Sequence, residues 1–238
     1  MSEKRLLVIG AHSADFVWRS AGTIAVITSQ GGSANVVALS YGERGESGEL
    51  WKEANQTVDN VKRIRHEEAS AAAEYVGATF RCLDLGDYPL SMADTATEQL
   101  VGIIQDFKPT ILLTHSPADP FNPDHPTASQ IAQKARLLST GAGVASAFSR
   151  IMPPDLYFFE PHQPELCDFK PNTFVDITAV MDKKTKAMDS MKSQSYLHKY
   201  YSELASRRAN HARRISGSDS IKFAEAHFRT LPWVVNSL

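Results

Sequence analysis

Residues 6–39 read LLVIGAHSADFVWRSAGTIAVITSQGGSANVVAL, and this stretch decides the fold. Leu6-Leu7-Val8-Ile9 is a short unbroken apolar run, the pattern of a strand buried on both faces. Phe16 to Gln30 reads as a helix stopped by Gly31-Gly32, and Val36-Val37-Ala38-Leu39 is a second apolar strand. Strand, helix and strand within roughly 30 residues make the right-handed crossover unit of a parallel sheet.

Outward from this unit the alternation continues. Helices are predicted from about Asn55 to Val76 (closed by Gly77), Thr95 to Phe107 and His125 to Ser139. Strands are predicted over Phe80 to Leu85 and Thr110 to Thr114. Beyond Gly141-Ala142-Gly143 the pattern changes: strands at Leu156 to Phe159 and Thr173 to Asp176 precede helical stretches near Ala179 to Ser193 and His198 to Arg214. Gly141-Ala142-Gly143 is no phosphate loop, because it lacks a preceding strand and a Lys-Ser/Thr pair. The expected fold class is α/β, a mostly parallel Rossmann-like sheet with helices on both faces and a C-terminal strand-helix extension. Its core would span about residues 5–140 and the extension about 150–238. No linker rich in Pro, Ser or charge separates them, so residues 1–238 read as a single domain.

Composition narrows the function. The chain has 238 residues, 42% hydrophobic and 22% charged, values ordinary for a globular protein. A net charge of -2 supplies no excess of cations to displace phosphate counterions, so neither a nucleic-acid nor a membrane partner is expected. Two cysteines, Cys82 and Cys167, are too few for a disulfide framework or a thiolate-rich zinc site. The start, Met-Ser-Glu-Lys-Arg before a short apolar run, resembles neither a signal peptide nor a membrane span, and a cytoplasmic protein is the expectation.

Ligands of open parallel sheets gather at the carboxyl ends of the strands. His12 and Asp15 follow the first strand, Glu43, Arg44 and Glu46 the second, and His115 the strand at Thr110–Thr114. The next loop adds Asp119, Asn122, Asp124 and His125, and Glu160-Pro161-His162-Gln163 follows a later strand. His12 and Asp15 can present an imidazole and a carboxylate to one point, and His125 a third ligand. Two histidines and one carboxylate with an open position are a hydrolytic zinc arrangement. Each of them, taken alone, also reads as a polar strand-end residue satisfying local backbone groups.

Ala11-His12-Ser13-Ala14-Asp15, Ala21-Gly22-Thr23 and Asn122-Pro123-Asp124-His125 resemble the motifs of the LmbE-like family, the PIG-L deacetylase superfamily. The resemblance implies that His12, Asp15 and His125 bind Zn2+. It also exposes two departures. The family's general base, an Asp, is Ala14 here, and the first His of its second block, which helps to stabilise the deacetylase oxyanion, is Asn122. A lost base typically lowers a rate by about 100- to 10,000-fold, so retained ligands imply a changed reaction. Five blocks, at 12–19, 42–47, 86–89, 119–126 and 160–165, resemble one branch of that family, the zinc-dependent 4-oxalomesaconate hydratases of gallate and protocatechuate breakdown. That resemblance implies a hydro-lyase adding water to an unsaturated oxo-tricarboxylic acid to give 4-carboxy-4-hydroxy-2-oxoadipate.

Such a reaction needs a base, an acid and cations for the substrate. Glu46 is the first candidate base, with Glu43 second, and His162 the candidate acid. Asp124 reads equally as a residue orienting a metal ligand and as a helix cap. Arg44 and Arg19 are the candidate carboxylate binders, with Ser13 and Asn122 as further substrate contacts. Arg207, Arg208, Arg213 and Arg214 form a cluster that reads either as a solvated face or as the wall of a cleft. The partner is a small polycarboxylate, and a symmetric homo-oligomer is expected. The rival readings are an N-deacetylase of an amino sugar or related amide, and a metal-retaining binding protein without turnover.

Overall fold

The computed structural model describes residues 3–144 and 146–234. The Met1-Ser2 part of the N-terminal reading lies outside them. Strands β1 (Arg5–Gly10), β2 (Ser33–Ala38), β3 (Thr79–Cys82), β4 (Ile111–Thr114) and β5 (Asp155–Phe159) alternate with helices α1 (Asp15–Ser29), α2 (Val58–Tyr75), α3 (Asp94–Phe107) and α4 (Asp124–Leu138). Strand β6 (Thr173–Asp176), helices α5 (Met181–Ser190) and α6 (His198–Ser216), and strand β7 (Ala224–Arg229) follow.

All seven strands join one sheet in the order β3-β2-β1-β4-β5-β7-β6. The first five strands are mutually parallel, as crossover helices require, while β7 is antiparallel to both β5 and β6. The predicted extension therefore prolongs the same sheet. Strand β7 was not anticipated: Ala224-Glu225-Ala226-His227-Phe228-Arg229 lacks an apolar run, yet Glu225 and His227 are buried.

Side chains alternate across β1. Leu6 and Val8 pack with Val17 and Ile24 of α1 and Met188 of α5, whereas Leu7 and Ile9 pack with Leu100 and Ile104 of α3 and Ile131 of α4. This two-sided burial explains the continuous apolar run. Helix α1 is buried around most of its circumference, and its only charged residues, Asp15 and Arg19, face each other at 2.9 Å. A buried charge network locks the C-terminal part to α1. Glu225 Oε1 accepts from Lys184 Nζ at 2.6 Å and from the Gly22 amide at 2.9 Å, and Glu225 Oε2 accepts from the Thr23 amide and hydroxyl, both at 2.7 Å. Because the Thr23 proton is committed to Glu225, His227 Nε2, 2.7 Å from Thr23 Oγ1, is the donor in that contact. Among the described residues no helix is long and apolar enough to cross a membrane.

Candidate metal centre

The carboxyl ends of β1, β2 and β4 bring the site together. After β1 the chain turns into α1, and Asp15 Oδ2 accepts the His12 amide at 2.7 Å, which closes the turn and aims both side chains at one point. The loop after β2 is tightened by the Ser47 hydroxyl donating to the Gly42 carbonyl at 2.7 Å, and it presents Glu46. Asp124 and His125 open α4. His12, Asp15, Glu46 and His125 each offer a ligand atom, all within 4.8 Å of one another.

The donor set suits a divalent cation. His12 Nε2 lies 3.3 Å from Asp124 Oδ2 and His125 Nδ1 2.7 Å from Asp119 Oδ2, so each imidazole is held from behind by a carboxylate. That is the usual backing of a metal-bound histidine. The other nitrogens, His12 Nδ1 and His125 Nε2, are buried without a hydrogen-bond partner among the described residues. His12 Nδ1 is 3.2 Å from Glu46 Oε1 and 3.6 Å from Asp15 Oδ2. His125 Nε2 is 3.6 Å from Glu46 Oε1 and 3.7 Å from Asp15 Oδ1. Two imidazole lone pairs and two carboxylates thus converge on one place where positive charge is wanted.

Titration of these groups expresses the same demand. Burial works against a charged His12, but the Glu46 carboxylate and the contacts with Asp124 and Asp15 hold its pKa well above the ordinary value. Burial likewise opposes the Glu46 and Asp15 charges, yet His12 for the one and His115 for the other keep both carboxyls well below their usual range. His115, stacked on His125 at 4.1 Å between ring centroids with its Nε2 2.9 Å from Asp15 Oδ2, is pushed down to about 3 by burial.

A cavity of about 310 Å³ opens beside the cluster, lined by Glu46, His125, Asn122, Asp119, Arg19, His162 and Tyr88 among others. Asn122 Nδ2 donates to Glu46 Oε1 at 3.1 Å. Arg19, paired with Asp15, has a buried Nε without a partner among the described residues. His162 packs against Tyr200 with ring centroids 4.4 Å apart and the planes tilted by 34°, its Nδ1 3.5 Å from the Tyr201 hydroxyl; burial, then the Arg19 charge, lower its pKa.

Not every candidate meets this cavity. Asp124 is buried behind His12, where its Oδ2 and Oδ1 accept the amides of Tyr88 and Leu90 at 2.9 and 2.8 Å; it orients a cluster residue and does not cap α4. Ser13 is buried and donates to the Tyr41 carbonyl at 2.8 Å. Arg44 is exposed, one residue from the cavity-lining Gly45, with its Nη1 3.3 Å from the Asp87 carbonyl. Glu43 is buried off the cavity wall with Lys62 Nζ 3.8 Å away. In the arginine cluster, Arg208 pairs with the buried Glu160, and Arg207 and Arg208 line a neighbouring cavity of about 580 Å³ that shares His162 and Gln163 with the first. Sequence reasoning left Asp119 and His115 without roles. Asp119 stands six residues before His125 in a proline-bent loop, a spacing that returns a carboxylate to the ring. Tyr88 lies in the block 86–89, but nothing in the sequence assigned it a role.

A converging His/Asp/Glu cluster at the carboxyl edge of a doubly wound sheet could hold a metal ion. The family model described as PIG-L, GlcNAc-PI de-N-acetylase, matches residues 7–136, and the chain belongs to that family. It is 42% identical to the 4-oxalmesaconate hydratase of Pseudomonas putida, over 99% of this chain and 93% of the relative. The crystal structure of GalB, the 4-carboxy-2-hydroxymuconate hydratase from Pseudomonas putida KT2440, matches with a TM-score of 0.95 at 42% identity, covering 99% of both chains. The diacetylchitobiose deacetylase of Thermococcus kodakarensis is 29% identical over 80% of this chain and 70% of its own.

Proposed function

We propose that the protein is a zinc-dependent hydro-lyase that adds water to 4-oxalomesaconate, giving 4-carboxy-4-hydroxy-2-oxoadipate in gallate and protocatechuate degradation. Ala14 carries the reading: its methyl group is fully buried beside a complete ligand cluster, where an amide hydrolase of this family needs a carboxylate. The full-length likeness to a hydratase supports it. The names 4-oxalmesaconate and 4-carboxy-2-hydroxymuconate describe keto and enol forms of one acid, so both relatives point to one substrate.

His12, Asp15 and His125 would hold the ion, with Glu46 beside them. Zinc suits two imidazoles with carboxylates, and when bound it supplies positive charge opposite the anion that develops as water adds. Glu46, steadied by Asn122, takes the proton of water as the oxygen bonds to the alkene carbon that carries both a carboxyl and the oxo-acid arm. The alkene electrons move to the neighbouring carbon, and His162 delivers a proton there. His162 is neutral in the free site, and the three carboxylates of an arriving substrate raise its pKa so that it binds already protonated. Arg19 holds one of those carboxylates from the cavity floor. The reading carries with it a cytoplasmic homo-oligomer; the net charge of -2 supports the lack of nucleic-acid and membrane partners.

Incubating the metal-loaded protein with 4-oxalomesaconate tests this by loss of the conjugated chromophore, beside an acetylated amino-sugar control. Chromophore loss without acetate release is expected, and Ala14→Asp does not create a deacetylase. Acetate release with an unchanged chromophore overturns the reading.

A further inference from the structure

Gln194 occupies a kink between α5 and α6, with φ -132° and ψ 28° inside a helical turn, and it is only 3% exposed. Its side-chain oxygen is fixed by two groups that can only donate. Trp18 Nε1 lies 3.3 Å from Gln194 Oε1, and Arg65 Nη1 lies 3.1 Å from it. Arg65 cannot move away: it is fully buried, bonded through Nη1 to Ser193 Oγ at 2.7 Å and through Nε to the Tyr41 carbonyl at 3.2 Å, with Glu68 Oε2 3.6 Å off. A flipped amide would set NH2 against a guanidinium and an indole N–H, so the orientation is determined. The amide nitrogen is left over. Gln194 lines the metal-side cavity, and among the described residues its Nε2 makes no hydrogen bond. A donor without a hydrogen-bond partner, on a buried residue whose acceptor is already fixed and which lines a cavity, can take an acceptor from outside.

We propose that Gln194 is a specificity-determining residue whose Nε2 donates to a carboxylate of the substrate, with Arg65 as the positioning residue that fixes its orientation. The inference rests on reading this cavity as the seat of a polycarboxylate, where Arg19 supplies a charge and Gln194 a neutral, directional donor. A fixed amide reaches the planar acceptor without adding a second cation beside Arg19, and it prefers a carboxylate oxygen to the N–H of an amide substrate.

Gln194→Glu is the informative variant. Its carboxylate still accepts from Trp18 and Arg65, so the fold is kept, but an oxygen replaces the donor that faces the cavity. The expected result is a KM for 4-oxalomesaconate raised by about 10- to 100-fold with kcat within about threefold, and no loss of thermal stability. Gln194→Met, which removes donor and acceptor together, weakens KM less and lowers Tm. Titration of metal-loaded protein with tricarballylate, a saturated tricarboxylate without a chelating hydroxyl, gives a second readout. If the wild-type protein does not hydrate 4-oxalomesaconate, the functional proposal falls while tricarballylate still decides this one: weaker binding by Gln194→Glu supports the anchor. Unchanged KM and unchanged tricarballylate affinity in Gln194→Glu overturn it.

Discussion

Asp119 Oδ2 sits 2.7 Å behind His125 Nδ1, and this contact decides which nitrogen of His125 faces the cluster. Asp119 is itself fixed, because its other oxygen accepts the amides of Phe121 and Asn122 at 3.0 and 3.2 Å. Replacing Asp119 by Ala is expected to weaken metal affinity by about 10- to 100-fold, with a smaller loss for Asp119→Asn. Competition against a chromophoric chelator measures this. Equal affinities in all three proteins would remove Asp119 from the site.

Glu46→Gln keeps an oxygen for Asn122 but abolishes proton acceptance. It should lower kcat by about 100- to 10,000-fold, and His162→Gln by a similar order. Metal content, measured on the same samples, separates a lost base from a lost ligand. A variant that retains its metal and its rate excludes Glu46 as the base.

Gly45 passes so close to Tyr88 that a Cβ there would overlap the ring. Both residues line the cavity, and the Gly45 amide is pinned to Asp87 Oδ2 at 2.7 Å, so the ring must give way. Gly45→Ala should therefore displace Tyr88 and reduce kcat/KM by about 10- to 100-fold while leaving the unfolding midpoint in place. A fully active alanine variant would show that the position of Tyr88 has no bearing on turnover.

The Lys184–Glu225–His227 network sets the acid limit of stability. Burial opposes the Glu225 charge, but Lys184 and His227 hold its carboxyl below the usual range, so its stabilising effect is present above the unfolded pKa and is lost as pH falls through the native one. Burial pushes His227 down to about 4, against about 6.5 when unfolded. Between those values the unfolded chain takes up a proton that the native chain refuses. Stability should be level above about pH 6.5 and fall toward pH 4 by on the order of 3 kcal/mol from His227 alone. Urea unfolding across that range checks this, and His227→Gln should flatten it. Lys184→Met, which leaves Glu225 buried without its cation, should cost about 3 kcal/mol at neutral pH. A variant as stable as the parent contradicts the pairing.

Much of this was legible in the sequence because burial on both faces of β1 and β2 writes itself as uninterrupted apolar runs. The same reading failed at β7. There Glu225 and His227 occupy core positions because Lys184 pairs with the one and Thr23 hydrogen-bonds the other, and local pattern cannot register partners about 40 and 200 residues away. For the site, His12, Asp15 and His125 were readable from motif spacing, and they converge with Glu46. Arg44 was chosen for its loop, but which way a loop side chain turns depends on neighbours such as Asp87 that follow another strand. Asp119 and His115 were visible as residue types, and their work as backing for His125 and Asp15 exists only in three dimensions.

Strand β7 comes after every other strand in the chain, yet it lies inside the sheet, with β5 on one side and β6 on the other. A nascent polypeptide leaving the ribosome thus carries an open seam between those two strands until residues 224–229 emerge. Premature termination before Ala224 would free β6, bare one flank of β5 and leave Lys184 without its counter-charge, a combination that quality-control proteases would meet as a sticky, half-zipped sheet.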